Sequence, residues 1–193
     1  MGAVNTRTRI LDAAERLVQM RGYNGFSYAD VAPEVGVTKA SLHYHFAGKA
    51  ELGKALIDRY AERFFAALEL IGSDVGDGRA KLQAFVAIYA AVLREKRMCL
   101  CGMLAADYET LPPPMREAVV SFFDRTEEWL TEVIQDAERA GELRLDGSAR
   151  ETAQAIVSGL EGAMLVARPY GDTGRFDAAS SRLLESLLGA PTA

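Results

Sequence analysis

The side chains with the greatest potential for chemistry in this 193-residue chain are two histidines, His43 and His45, and two cysteines, Cys99 and Cys101. Helix positions two apart point in nearly opposite directions, so the cysteines are not expected to share a metal ion. Adjacent CxC cysteines also cannot staple a fold. No third group stands near the histidines to orient them, and no glycine-rich loop carries the lysine of a phosphate site. The sequence therefore predicts a protein that is not an enzyme and holds no metal or cofactor.

Residues 27–46 contain the most informative pattern in the chain. Ser27 predicts the start of a short helix, and Gly36 predicts its end because glycine tolerates left-handed geometry. Thr38 predicts the start of a second short helix, from Lys39 to about Tyr44. Two short helices that meet at a glycine turn are typical of a helix-turn-helix.

The second short helix is predicted to have one apolar and one polar side. Leu42 and Phe46 are four residues apart and are expected to face the core. The positions left for the outside are Lys39, Ala40, Ser41, His43 and Tyr44. This outer face is short, basic and aromatic, and its small residues would let the helix start approach the floor of a groove.

The net charge of −5 argues against a nonspecific nucleic-acid or membrane binder, but the charge is unevenly distributed. Residues 1–60 carry eight basic and six acidic side chains, whereas the remainder carries 14 basic and 21 acidic ones. This split predicts two parts with different partners. We find no signal-peptide pattern and no run of about 18 apolar residues, so we expect a soluble, cytoplasmic protein without a membrane partner.

Helical periodicity along the chain predicts an all-α protein of nine helices. The predicted domains are residues 1–48, with the helix-turn-helix, and residues 71–193. A long helix over 49–70 is expected to link them, and a loop at Gly72–Gly78 follows it. Ser148 begins a further helix through a predicted capping box.

The helix-turn-helix segment resembles the signature of the TetR/AcrR family of transcriptional regulators. The matching segments are Gly36–Phe46, Gly48–Leu52, Ile10–Ala14, Leu17-Val18 and Arg21–Tyr23. The resemblance is close over about residues 6–60 and continues beyond them only in helix layout. It implies a nine-helix TetR-like fold, with an N-terminal three-helix DNA-binding domain and a C-terminal helical domain for ligand binding and dimerisation.

The resemblance also implies which residues meet a double-stranded DNA operator. Base-edge contacts are expected mainly from Lys39 and Ser41, with His43 as a further candidate, because lysine can donate to guanine O6 and N7. The implied DNA-binding residues are Ser27, Tyr28, Thr38, Lys39, Ala40, Ser41, His43, Tyr44, His45 and Lys49. Of these, Ser27, Tyr28, Tyr44, His45 and Lys49 match positions that usually contact phosphates and supply affinity rather than sequence choice.

Several of these positions admit a second interpretation. Tyr44 and His45 could pack against the long helix, and Lys49 could be a solvated lysine at a helix start. His43 stands where tyrosine is commoner in the family, which would alter the local readout. Pro33 removes a backbone hydrogen bond from the first short helix and can kink it.

The resemblance implies that the C-terminal part encloses a small-molecule effector. The candidate lining residues are Phe85, Tyr89, Cys99, Met103, Tyr108, Phe122, Trp129 and Met164. Tyr89, Tyr108 and Trp129 are preferred because each combines an apolar ring with a polar group. The alternative is that these residues form ordinary core.

Cys99 is a candidate for reaction with electrophilic effectors. The cations of Arg94, Lys96 and Arg97 are close in sequence and could lower the pKa of its thiol. The alternative is a buried cysteine that packs as a small apolar residue.

The last two helices are the predicted homodimer interface. Gly159, Gly162 and Ala163 would permit close helix approach, and Leu183 and Leu187 would supply apolar contacts. The expected function is a ligand-responsive repressor, released from a palindromic operator by a small apolar or electrophilic effector. The alternative is a dimeric helical interaction protein that does not bind DNA.

Overall fold

The computed structural model describes residues 5–188, and within that range the chain forms nine α-helices and no strand. The helices are α1 Thr6–Arg21, α2 Tyr28–Val35, α3 Lys39–His45, α4 Lys49–Asp74, α5 Gly78–Arg94, α6 Leu100–Ala106, α7 Pro113–Arg139, α8 Ala149–Ala167 and α9 Thr173–Leu188. Two 3-10 turns, Tyr108–Thr110 and Arg168–Tyr170, follow α6 and α8. The all-α, nine-helix prediction is confirmed. The extreme ends of the two predicted domains, 1–4 and 189–193, lie outside the described residues.

Side-chain caps begin the short helices where the sequence predicts them. Ser27 and Thr38 each accept a hydrogen bond from a backbone N–H two or three residues later, at 3.2 Å. Gly36 ends α2 with φ 72° and ψ 36°, a left-handed conformation that glycine adopts without a Cβ clash. Ser148 and Glu151 form the predicted capping box at the start of α8. These signals are readable from sequence because each bond is made within one turn.

Helix α4 is longer than predicted and ends at Asp74. A stripe of buried residues recurs at every fourth position, Leu52, Leu56, Tyr60, Phe64 and Leu68, and Ile57 is buried beside it. Ala67 and Ile71, towards the far end of the helix, are half-buried.

The described chain divides into two compact units. The first unit comprises the residues up to Arg63 together with Cys99–Ser121, and the second comprises Phe64–Met98 and the residues from Phe122 onwards. Helix α6 and the start of α7 therefore pack with the N-terminal helices, which sequence order does not indicate. The predicted division into residues 1–48 and 71–193 stays a prediction.

Close packing in the second unit depends on small residues. A Cβ at Gly78 would lie 2.2 Å from the Cβ of Ala137, so α5 begins directly against α7. A Cβ at Gly159 would lie 2.4 Å from Leu183 Cδ2, where α8 meets α9. No helix among the described residues is long and apolar enough to cross a membrane.

Candidate DNA-binding surface

Helix α3 is strongly one-sided. Leu42 and Phe46 are completely buried, whereas Lys39, Ala40 and His43 are exposed. Tyr44 is 87% exposed, which is unusual for a large aromatic side chain. Tyr44 therefore does not pack against α4, and the face predicted to meet DNA is open to solvent.

Ser41 and His45 lie at the edges of this exposed face. Both are half-buried, and the ring of His45 meets that of Tyr44 edge to face at 5.4 Å. Thr38 is exposed, and its hydroxyl oxygen accepts from the backbone N–H of Ser41. The structure thus brings Thr38, Ser41 and His45 to the same helix as the exposed residues.

Tyr28 ties α2 to α3. Its hydroxyl donates to the carbonyl oxygen of Phe46 at 3.0 Å, and its ring centroid lies 4.8 Å from that of His43. Burial raises the pKa of Tyr28 to about 12, with Glu51 as a smaller cause. Because the single hydroxyl proton is already donated within the protein, a phosphate contact from Tyr28 would require this bond to be exchanged.

Ser27 is similarly engaged inside the protein. Its hydroxyl donates to Asp30 Oδ2 at 2.6 Å, and its backbone N–H donates to the same oxygen at 2.8 Å. These two bonds lower the pKa of Asp30 and keep a carboxylate beside Ser27. A phosphate approaching Ser27 would meet that negative charge, so the structure gives Ser27 a capping role.

Lys49 does not extend into solvent as a simple helix-start lysine would. Its ammonium lies over the rings of Tyr23 at 4.4 Å and Phe26 at 4.5 Å. Burial lowers the pKa of Lys49, and the carboxylates of Asp107 and Asp30 partly oppose this effect. The side chain is placed by cation–π attraction, so a phosphate contact would require it to move away from the two rings.

Arg7 is a cation near α3, and the sequence pattern did not single out this residue. It is exposed, and its guanidinium lies 4.7 Å from the ring centroid of Phe46. Arg9 donates to the carbonyl oxygen of Val35 and so joins α1 to the end of α2. A charge count includes both arginines, but their position beside α2 and α3 depends on how α1 packs.

Most of the predicted effector-binding residues lie together in the second unit. Phe85 stacks on Trp129 at 5.8 Å and meets Tyr89 at 5.3 Å, and Phe64 connects these rings to Phe122 at 4.9 Å. Phe85, Tyr89 and Phe122 are buried, as is Met164 on α8. These side chains pack in the core of the second unit, and their role in effector binding stays a prediction.

The remaining predicted effector residues belong to the first unit. Met103 lies near Gly22, where a Cβ would be 3.7 Å from its Cε, and Tyr108 lies beneath the Arg116 guanidinium at 5.3 Å. Cys99 is 2% exposed, and its sulfur accepts from the Tyr60 hydroxyl at 3.6 Å. Because reactive thiols are usually partly exposed, this burial favours the packing interpretation of Cys99.

The predicted dimer residues separate into two groups. Gly159 and Leu183 contact each other within the chain, and Leu187 is half-buried. Gly162 is exposed, and a Cβ added to it would meet no atom within 4 Å, while Ala163 beside it is half-buried. The small residue at 159 therefore serves α8–α9 packing, whereas the dimer role of Gly162 stays a prediction.

Two family models match most of the chain. Residues 10–56 match the model for bacterial regulatory proteins of the tetR family, and residues 78–183 match the model for the tetracyclin repressor-like C-terminal domain. The first match contains the whole helix-turn-helix segment. The second covers more than half of the chain by itself.

Individual relatives agree with these matches. The chain is 27% identical over 155 residues to the transcriptional regulator AcuR of Cereibacter sphaeroides, covering 77% of this chain and 69% of that one. A TetR-family regulator of known structure from Agrobacterium tumefaciens superposes with a TM-score of 0.91 at 31% identity, over 95% of this chain and 98% of that one. A TetR regulator from Legionella pneumophila gives a TM-score of 0.86 at 33% identity, over 97% and 100% of the two chains.

The one-sided helix-turn-helix, the helical second unit and these matches define a DNA-binding transcriptional regulator. The chain belongs to the TetR family. Regulators of this family bind DNA operators, dimerise and bind small-molecule effectors, and they are not enzymes. The alternative of an interaction protein without DNA binding is accordingly not favoured.

Proposed function

We propose that this regulator is a homodimeric repressor that reads a palindromic operator with the exposed face of α3. The observation that carries the proposal is the open face of Lys39 and Tyr44, with Ser41 at its edge, on a helix whose other side is completely buried at Leu42. Lys39 and Ser41 stand in the first turn, where side chains reach base edges in the major groove. A two-fold dimer presents two such helices to half-sites about one helical turn apart, or a multiple of it.

The remaining contacts in the proposal go to the phosphate backbone. Tyr44 and His45 are the main candidates because they lie on or beside the open face, and Arg7 joins them through its position over Phe46. Lys49, Ser27 and Tyr28 would contribute only after exchanging their present partners. Such contacts position the duplex without choosing its sequence. A regulator that reads chromosomal operators acts in the cytoplasm, which is the location that we propose.

We further propose that a small apolar or electrophilic effector releases the operator. The candidate binding region is the ring cluster around Phe85, Tyr89, Phe122 and Trp129. Since these rings pack against one another, an effector would have to part them, and the displacement would enter α4 through Phe64. Helix α4 begins three residues after Phe46, the residue that ends α3, so a movement of α4 would reach α3. Release follows only if the effector binds the operator-bound and released states with unequal affinity.

The decisive experiment is to identify the operator by selection from a random DNA library with the wild-type protein, and then to measure variants on it. Lys39→Ala and Ser41→Ala should each weaken operator binding by about 5- to 100-fold, the usual value of a lost base contact. Lys54→Ala is the matched control, since Lys54 carries the same charge on α4 but pairs with Asp58 at 2.6 Å. Binding is measured by fluorescence anisotropy.

Two results would contradict the proposed function. The first is a library selection that yields no preferred sequence. The second is an affinity that does not fall as salt is raised, because phosphate contacts release counterions and must produce a negative salt dependence. A loss in Lys54→Ala equal to that in Lys39→Ala would show that total charge, rather than base contact at α3, sets the affinity.

A further inference from the structure

The loop between α1 and α2, Gly22–Ser27, is held by a carboxylate that comes from a distant part of the sequence. Asp107, at the end of α6, accepts from the backbone N–H of Tyr23 at 2.7 Å and from that of Asn24 at 3.4 Å. Its other oxygen accepts from the Asn24 side-chain amide at 3.2 Å, and the same amide donates to Thr110 Oγ1 at 2.8 Å. Two successive backbone N–H groups aimed at one carboxylate form a small anion-binding nest.

Gly22 permits this close approach. It has φ 80°, and a Cβ at this position would lie 2.7 Å from Asp107 Oδ2. The loop therefore has both the backbone conformation and the space that the carboxylate requires. Asp107 and the whole loop belong to the first unit, so the contact lies within one compact body.

The loop also contacts the start of α4. Lys49 places its ammonium over Tyr23 and Phe26, both of which are buried. The loop is consequently held by an anion from α6 and a cation from α4, and these two charges also attract each other. Charge-assisted bonds of this kind are about twice as strong as neutral ones.

The held loop leads directly to α2, which contacts α3. Ser27 caps α2 at the end of the loop, and Tyr28 in the next position bonds to Phe46 and packs on His43. Every step of this path is a hydrogen bond, a ring contact or a helix cap. Displacing the loop would therefore displace α2 and, through Tyr28, the end of α3.

We propose that Asp107 is a positioning residue for DNA binding, whose carboxylate holds the α1–α2 loop and thereby sets the placement of α2 and α3 on the operator. Asp107 contacts no base or phosphate in this role. The inference rests on the proposed function, because it concerns how the α3 face is presented to an operator.

The substitution Asp107→Asn separates this role from a simple charge effect. Removing an acidic charge from a DNA-binding unit would by itself strengthen binding, since it removes repulsion from the phosphates. Loss of the loop anchor should instead weaken operator binding by about tenfold, because asparagine has only one acceptor oxygen and cannot place an acceptor against both the backbone N–H groups and the Asn24 amide, and its bonds are not charge-assisted. The two explanations thus predict opposite signs.

The measurement compares operator DNA with random-sequence DNA at a temperature where circular dichroism shows each variant to be fully folded. The expected result is a loss on the operator with affinity for random DNA changed by less than about twofold, because nonspecific binding depends on charge rather than on helix placement. A general loss of structure would lower both affinities together. Glu109→Gln is the matched control, since Glu109 is exposed, lies two residues after Asp107 and carries the same charge.

Asn24→Ala serves as the second variant, because Asn24 is exposed and its removal takes away one arm of the anchor without burying a new group. We expect it to weaken operator binding by about threefold. Operator binding by Asp107→Asn at or above the wild-type affinity would overturn the proposal. If Asp107→Asn does not fold, wild-type affinity in Asn24→Ala would overturn it. Failure of the wild-type protein to select any operator would instead remove the proposed function itself.

Discussion

At the scale of single residues, Tyr28 shows how one side chain joins two short helices. Its hydroxyl bond to Phe46 and its ring contact with His43 link α2 to the end of α3. Loss of the hydroxyl proton would replace a donor with a negative charge against the Phe46 carbonyl oxygen. Burial therefore favours the protonated form and raises the pKa of Tyr28 to about 12.

The contribution of Tyr28 to folding stability should disappear in strong alkali. Its folded-state pKa of about 12 lies above the ordinary value of 10.0, so the contribution is fully present below about pH 10 and is lost as the pH rises towards 12. In urea unfolding, the stability difference between the wild-type protein and Tyr28→Phe should be smaller at about pH 11 than at about pH 8. A gap for Tyr28→Phe that stays constant or grows would contradict this assignment.

At the scale of elements, α3 depends on its neighbours for stability. It has seven residues, and isolated helices of fewer than about 12 residues are marginal in water. The Thr38 cap, the buried Leu42 and the Tyr28 contact compensate for its length. Burying one side holds the helix in place and leaves the opposite side free to enter a groove.

The end of α5 contains a lysine in a conformation that favours glycine. Lys96 has φ 58°, and its backbone N–H donates to the Leu93 carbonyl oxygen at 2.9 Å while that of Arg97 donates to Val92 at 3.2 Å. Left-handed geometry costs a non-glycine residue about 1–2 kcal/mol. The helix ends with a glycine-type hydrogen-bond pattern but without the glycine.

Lys96→Gly should therefore stabilise the protein by about 0.5–1 kcal/mol, since glycine removes the Cβ strain but adds freedom to the unfolded chain. The same substitution inside the helix, Lys81→Gly, should destabilise it by about 0.5–1 kcal/mol. Chemical denaturation monitored by circular dichroism measures both. Destabilisation by Lys96→Gly would mean that contacts of the lysine side chain stabilise the protein by more than the left-handed backbone conformation costs.

At the scale of the whole molecule, the C-terminal half of α8 and the turn after it present apolar side chains to solvent. Leu165, Val166 and Tyr170 are 59%, 60% and 62% exposed, and Gly162 lies on the same helix with open space beside it. Contiguous exposed apolar residues mark interaction sites in soluble proteins. We expect this surface, together with the outer side of α9, to form the homodimer interface.

Val166→Glu should raise the dimer dissociation constant by about tenfold or more, because symmetry places two new carboxylates in one apolar interface. Analytical ultracentrifugation measures the change. Leu70→Glu is the matched control, since Leu70 on α4 is 61% exposed and equally apolar. A similar shift in both variants, or none in Val166→Glu, would place the interface elsewhere.

Much of the fold could be predicted from sequence because its signals are local. The caps at Ser27, Thr38 and Ser148 and the left-handed Gly36 act within one helical turn. The division of α3 into a buried and an exposed side could be predicted because Leu42 and Phe46 are four residues apart, and residues with this spacing lie on the same side of a helix. The assignment of Met103 and Tyr108 to a different unit from the ring cluster was not predictable, because it depends on which unit α6 joins.

The sequence by itself determined that this protein is an all-helical regulator with a helix-turn-helix, because helical periodicity, caps and the family signature are written in neighbouring residues. Only the tertiary structure decided which partners the polar groups in and beside the helix-turn-helix have. The Lys49 ammonium lies over two aromatic rings, the Tyr28 hydroxyl donates to Phe46, and the α1–α2 loop donates to Asp107. The physical reason is distance along the chain: Tyr23 and Asp107 are 84 residues apart, and no local propensity specifies which carboxylate satisfies a given N–H group.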